Sequence, residues 1–74
     1  MLINTDADKT AAAPARILRL PEVIRRTGLP RGSIYEQMAI GLFPKPIALT
    51  FRTVGWVERE IDEWIIERIR GRSR

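Results

Sequence analysis

Seven cationic side chains lie between residues 16 and 56: Arg16, Arg19, Arg25, Arg26, Arg31, Lys45 and Arg52. Only Glu22 and Glu36 oppose them there. The chemistry such a set performs is phosphate binding, because each phosphate neutralised by Arg or Lys releases condensed counterions. Arginine outnumbers lysine 11 to 2 over the chain. Its planar fork matches phosphate oxygens and the guanine edge bidentately. Charge alone leaves an ordinary solubilising surface open as the alternative. Covalent chemistry has little to work with, since the 74 residues include no Cys and no His. That removes thiol nucleophiles, disulfides, imidazole bases and most zinc sites. Carboxylates, Lys, Ser and Tyr remain, and so short a chain hardly encloses a pocket for them. An enzyme is therefore not expected, nor a metal or cofactor.

The rest of the charge is segregated, although the net value is only +4. Residues 1–15 hold Asp6 and Asp8 against Lys9. Residues 57–67 hold Glu58, Glu60, Asp62, Glu63 and Glu67 against Arg59. The chain then ends on Arg68, Arg70, Arg72 and Arg74. A basic middle and a basic tail thus flank one acidic stretch. The hydrophobic fraction, 45%, is that of a globular protein. The apolar runs are too short to span a bilayer, so no membrane partner is expected. Early acids and the lack of a basic lead-in argue against a signal peptide. With no Cys, which fits a reducing compartment, the expected location is the cytoplasm.

The elements that must position these cations follow from turn residues and apolar spacing. Residues 1–15 show no apolar period and read as a flexible arm. The folded domain is expected over residues 16–70, with a basic tail at 71–74. Ile17-Leu18-Arg19-Leu20 is either a short strand or an extended lead-in. Pro21 suits the first position of a helix and Glu22 its first turn. Val23, Ile24 and Thr27 share one face, and Gly28 stops the helix. Gly28-Leu29-Pro30 makes a tight turn, with Leu29 as its apolar plug. A second helix is predicted over Arg31 to Ile40, ended by Gly41. At about 100° per residue, Ile34 and Met38 point inward, and Gly32, Ser33 and Glu36 point away. Two short helices joined by a Gly-containing turn form the helix-turn-helix pattern. Pro44 and Pro46 then force an extended path. Ile47-Ala48-Leu49 and Val54-Gly55-Trp56 flank Thr50-Phe51-Arg52-Thr53 as a small β-hairpin, or wing. Val57, Ile61, Trp64, Ile65 and Arg68 mark one face of a last helix, with Ile69 at its edge. Ile66 lies off that stripe, on the surface or in a small interface. Its acids come first and its arginines last, which suits the macrodipole. Trp56 and Trp64 fall on apolar seams and read as core anchors. The fold class is mainly α with a small β-hairpin wing: a winged helix-turn-helix.

An ordered series of motifs runs through residues 18–66. It comprises Arg19-Leu20-Pro21-Glu22-Val23, Thr27-Gly28-Leu29, Ser33-Ile34-Tyr35, Gly41-Leu42-Phe43-Pro44-Lys45-Pro46, Val54-Gly55-Trp56 and Glu60-Ile61-Asp62-Glu63-Trp64. Taken together it resembles the AlpA family of phage-type transcriptional regulators. The resemblance implies a MerR- or excisionase-like winged helix-turn-helix, encoded on a prophage or other mobile element and acting on DNA. Some relatives instead promote excision of the element as recombination directionality factors. The sequence departs from the family pattern at Pro30, where Ser is frequent, and at Glu36, where Arg is frequent. A basic residue near Ala39 or Leu42 is also missing, so the second helix is less basic than usual. Phe51 stands in the wing where a small or polar residue is commoner.

In this arrangement the second helix is expected in the major groove, its N-terminal residues at the base edges. Arg31 is the leading candidate for a base or phosphate contact. Gly32 lets the backbone approach, and Ser33 bonds phosphate or base. Tyr35, matching the family's tyrosine, either donates to a phosphate or is a half-buried core ring. Glu36 either accepts from cytosine N4 or repels phosphate, and Gln37 is a candidate for adenine. Lys45, Thr50, Arg52 and Thr53 are expected on the backbone or in the minor groove, and Arg25 and Arg26 on the flanking backbone. Phe51 either wedges against sugars or covers core. The partner is double-stranded DNA, with integrase or RNA polymerase as protein partners. Apolar burial in a domain this small barely offsets chain entropy, so a homodimer or cooperative assembly on DNA would supply stability by mass action. Two readings compete with a sequence-specific regulator: an excisionase that bends DNA and recruits an integrase, and a protein-interaction module.

Overall fold

A computed structural model describes residues 15–72. The expected arm, up to Pro14, and Ser73-Arg74 of the tail lie outside the described residues. In chain order the elements are β1 (Ile17–Leu18), α1 (Leu20–Thr27), α2 (Arg31–Ala39), β2 (Ile47–Ala48), β3 (Val54–Val57) and α3 (Glu58–Gly71). The Ile17-Leu18 stretch is a strand rather than a lead-in. It pairs antiparallel with β3, Ile17 opposite Val57 and Leu18 opposite Trp56. On the other edge of β3, β2 places Ile47 opposite Gly55 and Ala48 opposite Val54. The wing is thus part of a three-stranded sheet, ordered β1-β3-β2. An isolated two-stranded hairpin is marginal in water, and β1 anchors this one to the domain.

Helix α1 starts one residue before the predicted Pro21, because the Arg19 carbonyl accepts the N–H groups of Glu22 at 2.9 Å and Val23 at 3.0 Å. It stops where the glycine placed it. Gly28 takes φ 77° and donates its N–H to Ile24 O, a left-handed conformation that costs glycine nothing. Gly41 does the same beyond α2 at φ 78°, and α2 ends at Ala39 with Ile40 as its cap rather than its last residue. Helix α1 packs against α2, α3 and β3.

The core takes a residue from nearly every segment: Leu18, Val23, Ile34, Phe43, Trp56 and Ile61 are buried. Leu20, Ile24, Leu29, Met38, Trp64 and Ile65 pack around them. Arg68, predicted on the inner stripe of α3, instead stays exposed. Its guanidinium lies 5.4 Å from the centroid of the Trp64 ring, where it covers the ring and keeps its charge in water. Ile66 is exposed, off the stripe as expected.

Gly55 sits where β1 and β2 close on the middle strand. A Cβ there would run into Ile17 Cγ2 and lie 3.1 Å from both the Leu18 carbonyl oxygen and Leu49 Cδ1. The obstacle includes backbone and a stiff β-branched side chain. Gly55→Ala is therefore expected to destabilise the domain by about 1–3 kcal/mol, read as a lower urea midpoint with an unchanged slope. An unchanged midpoint would show that the strands part freely.

Candidate nucleic-acid interface

The turn between α1 and α2 is set by one side chain. Thr27 Oγ1 donates to Val23 O at 2.8 Å and accepts the Leu29 N–H at 3.2 Å. Leu29 packs on the core as the expected plug. Pro30 caps α2 with no side-chain hydrogen bond, and no acid occupies the first turn. The first helical bond runs from Ile34 N–H to Pro30 O at 3.1 Å. The N–H groups of Arg31, Gly32 and Ser33 precede it, at the positive end of the helix dipole. This open end is a feature the sequence reading missed. Its signal was Pro30 itself, a cap residue with no side-chain acceptor.

Burial of Ile34, with Met38 packed behind it, fixes the rotation of α2. Arg31, Gly32, Tyr35 and Glu36 then face solvent, with Ser33 and Gln37 half-buried on the flanks. Tyr35 is 41% exposed and is not a core ring. The Arg31 guanidinium lies 5.8 Å from the centroid of that ring, one turn along the helix. The stacking restrains the long side chain beside the open helix end.

The segment after α2 is held from behind by both tryptophans. Trp64 Nε1–H donates to Leu42 O at 2.8 Å, and Trp56 Nε1–H donates to Pro44 O at 3.0 Å. Phe43 is buried between these contacts and meets the Trp64 ring edge-on at 4.9 Å. Lys45, between the two prolines, is exposed. At the wing turn Thr53 O accepts the N–H groups of Leu49 at 2.7 Å and Thr50 at 3.1 Å, and Thr53 N–H returns to Thr50 O at 3.4 Å. The Arg52 N–H donates to Thr50 Oγ1 at 3.3 Å. Thr50 and Arg52 are exposed, Thr53 is half-buried, and Phe51 is 96% exposed. Phe51 therefore covers no core.

The two arginines of α1 differ. Arg25 is exposed and pairs with Glu22 at 2.6 Å. That hydrogen bond, and then the arginine's charge, hold the Glu22 carboxyl below the usual carboxylate range. The contribution is present at neutral pH and fades as the pH falls through the lowered value. Arg26 corrects the expectation of a flanking-backbone contact. Its guanidinium donates to Glu58 Oε2 at 2.9 Å and Asp62 Oδ1 at 2.5 Å, joining α1 to α3. These bonds, Glu58 first, raise its pKa further. Arg16 adds a longer approach to Glu58 at 4.0 Å. Glu58 and Asp62 thus act in the fold as well as at the helix dipole. Glu60, Glu63 and Glu67 are exposed on α3 and line an open groove with Leu42, Phe43 and Trp64. Between Gln37 and Val57 the only charged residues are Lys45 and Arg52.

A two-helix unit with its second helix turned outward, its first helix packed on a three-stranded sheet that carries a hairpin, defines a winged helix-turn-helix protein. Residues 16–69 match the family described as "Prophage CP4-57 regulatory protein (AlpA)". The chain is 46% identical over 59 residues, covering 72% of it and 84% of the relative, to a protein of Escherichia coli (strain K12) named "DNA-binding transcriptional activator AlpA". It is 42% identical over 59 residues, covering 80% of it and 67% of the relative, to "Uncharacterized protein ORF88" of Enterobacteria phage P4. The chain belongs to the AlpA family of prophage regulatory proteins. Among the described residues no helix is long and apolar enough to cross a membrane.

The internal pairing of Arg26 separates stability from binding. Arg26→Ala is expected to lower the melting temperature while leaving the salt dependence of duplex binding unchanged. A shallower salt slope at unchanged melting would put Arg26 on the nucleic acid.

Proposed function

We propose that the chain is a sequence-specific DNA-binding transcriptional regulator of a prophage or other mobile element. The observation that carries this reading is α2. Its N-terminus is uncapped by any side chain, its first turn holds no acid, and Arg31, Gly32, Tyr35 and Glu36 face outward over a buried Ile34. The E. coli relative's name, a DNA-binding transcriptional activator, supports it.

In this reading α2 enters the major groove end-on. Arg31, steadied on Tyr35, bonds guanine O6 and N7 or a phosphate. The exposed backbone at Gly32 approaches the phosphate chain, and the Ser33 hydroxyl donates to phosphate or base. Tyr35 donates its hydroxyl to a phosphate. Glu36 accepts from cytosine N4, and Gln37 reads adenine at the edge of the contact. Lys45 and Arg52 bind the flanking backbone, with hydroxyls from Thr50 and Thr53 beside them. Arg25, whose pair with Glu22 is exposed to solvent, exchanges it for the adjoining phosphates, whereas Arg26 is left out of the contact set because its part-buried guanidinium bridges Glu58 and Asp62. The protein works in the cytoplasm without a catalytic step, its partner is double-stranded DNA, and regulation proceeds through RNA polymerase. Copies assemble as a homodimer or cooperatively along the duplex. The second reading, a recombination directionality factor that bends DNA for an integrase, draws support from the aromatic wing tip.

Selection from a random duplex pool, followed by gel shifts over a range of salt, tests this function. Arg31→Ala is expected to cost about 1–3 kcal/mol of specific binding and to relax selectivity at one base position. Lys45→Ala and Arg52→Ala are each expected to weaken all duplexes alike and to reduce the salt slope by about one. Failure to bind any duplex at low salt would remove the proposal and favour a protein-interaction module.

A further inference from the structure

We propose that Phe51 is a wedge that enters the minor groove and partly unstacks a flexible base step, bending the duplex around α2. The inference rests on the reading that α2 lies in the major groove. Phe51 is 96% exposed, so its ring contributes nothing to the core that Phe43, Trp56 and Trp64 build. The turn that carries it is closed by three backbone hydrogen bonds and one from Arg52 N–H to Thr50 Oγ1. The ring is therefore presented on an ordered tip, and its position is not lost to loop entropy.

The surroundings select a polyanion over a protein face. Arg52 adjoins the ring, Lys45 lies in the approach to the wing, and no carboxylate occurs from Gln37 to Val57. The exposed acids Glu60, Glu63 and Glu67 lie on α3 and line one groove with Lys45, whereas neither Arg52 nor Phe51 lines it. The other exposed apolar groups of the hairpin, Ile47, Leu49 and Val54, are each only about two-fifths exposed. They sit at or next to the paired strands, and Leu49 packs toward Gly55. Phe51 alone stands clear of the sheet. An apolar ring beside a cation at a narrow tip is the combination that minor-groove proteins use to pry bases apart. Insertion is cheapest at pyrimidine–purine steps, above all TA and CA, which unstack readily. The wedge would thus read sequence through deformability, at a step displaced from the bases that α2 touches.

The test uses the full-length chain and a duplex selected by it from a random pool. 2-Aminopurine is placed at successive positions beneath the wing, and end-to-end energy transfer reports the bend. The wild type is expected to raise the fluorescence at one step and to bend the duplex. Phe51→Ala is expected to abolish both signals and weaken binding roughly tenfold, as loss of one ring–base stack does. It should keep its melting temperature and its base preference under α2. Phe51→Leu, which retains an apolar wedge, should recover part of the bend. A wild-type complex that is straight and fully stacked would overturn the proposal. So would a Phe51→Ala complex that bends unchanged, or one whose only defect is loss of protein self-association in sedimentation. Absence of any duplex binding by the wild type would instead remove the DNA reading itself, a separate outcome.

Discussion

Two indole hydrogen bonds set the geometry on which the proposed DNA-reading elements depend. Between α2 and β2 the chain runs through Leu42 to Pro46 without regular structure, and Pro44 and Pro46 have no N–H to offer a ladder. The segment is secured by its carbonyls instead. Leu42 O takes the Trp64 N–H and Pro44 O takes the Trp56 N–H. Phe43, between them, is driven into the core. Each bond is worth about 1 kcal/mol net, and the buried Trp56 indole left without its acceptor would cost more. Because Trp56 belongs to the middle strand and Trp64 to α3, the path from α2 to the hairpin is referenced to both the sheet and the last helix. Moving either indole would move the wing against α2.

The same economy governs the charges. A basic protein has a use for every cation on its binding face, yet Arg26 is spent inside, bridging to Glu58 and Asp62. The two acids lie one turn apart on α3, so a single guanidinium fork spans both. In return α1, which carries the turn into α2, is joined to the base of α3. The pairs are partly exposed and contribute less than their distances suggest. Their effect is positional, joining α1 to α3.

Local signals were legible in the sequence and long-range pairings were not. Gly28, with its positive φ, stopped α1 where predicted, and Pro30 opened α2 at Arg31. The inward turn of Ile34 and Met38 and the anchoring role of the tryptophans also followed from spacing. Each of these depends on residues a few positions apart. The pairing of β1 with β3 and the partners of Arg26 join distant parts of the chain, and no local pattern announces them. Tyr35 and Phe51 remained ambiguous because an aromatic ring suits a core and a surface equally until its neighbours are placed. The structure puts both outside.

The shortness of α2, the proposed reading head, limits what direct base contacts can deliver. Helix α2 has nine residues, and Arg31 and Glu36 are its only charged side chains. One of these is an acid that gains a partner only opposite cytosine. An Arg–guanine pair discriminates by about 1–3 kcal/mol, whereas specific DNA binding typically exceeds non-specific binding by about 4–10 kcal/mol. The remainder must come from several weaker contacts, from more than one copy, or from the energy of deforming particular sequences. The chain's charge layout suits the last two. In the proposed reading the field of the basic middle orients the encounter over the Debye length. On the proposed reading, a short helix paired with an exposed aromatic tip would gain selectivity by testing whether the duplex yields where the tip meets it.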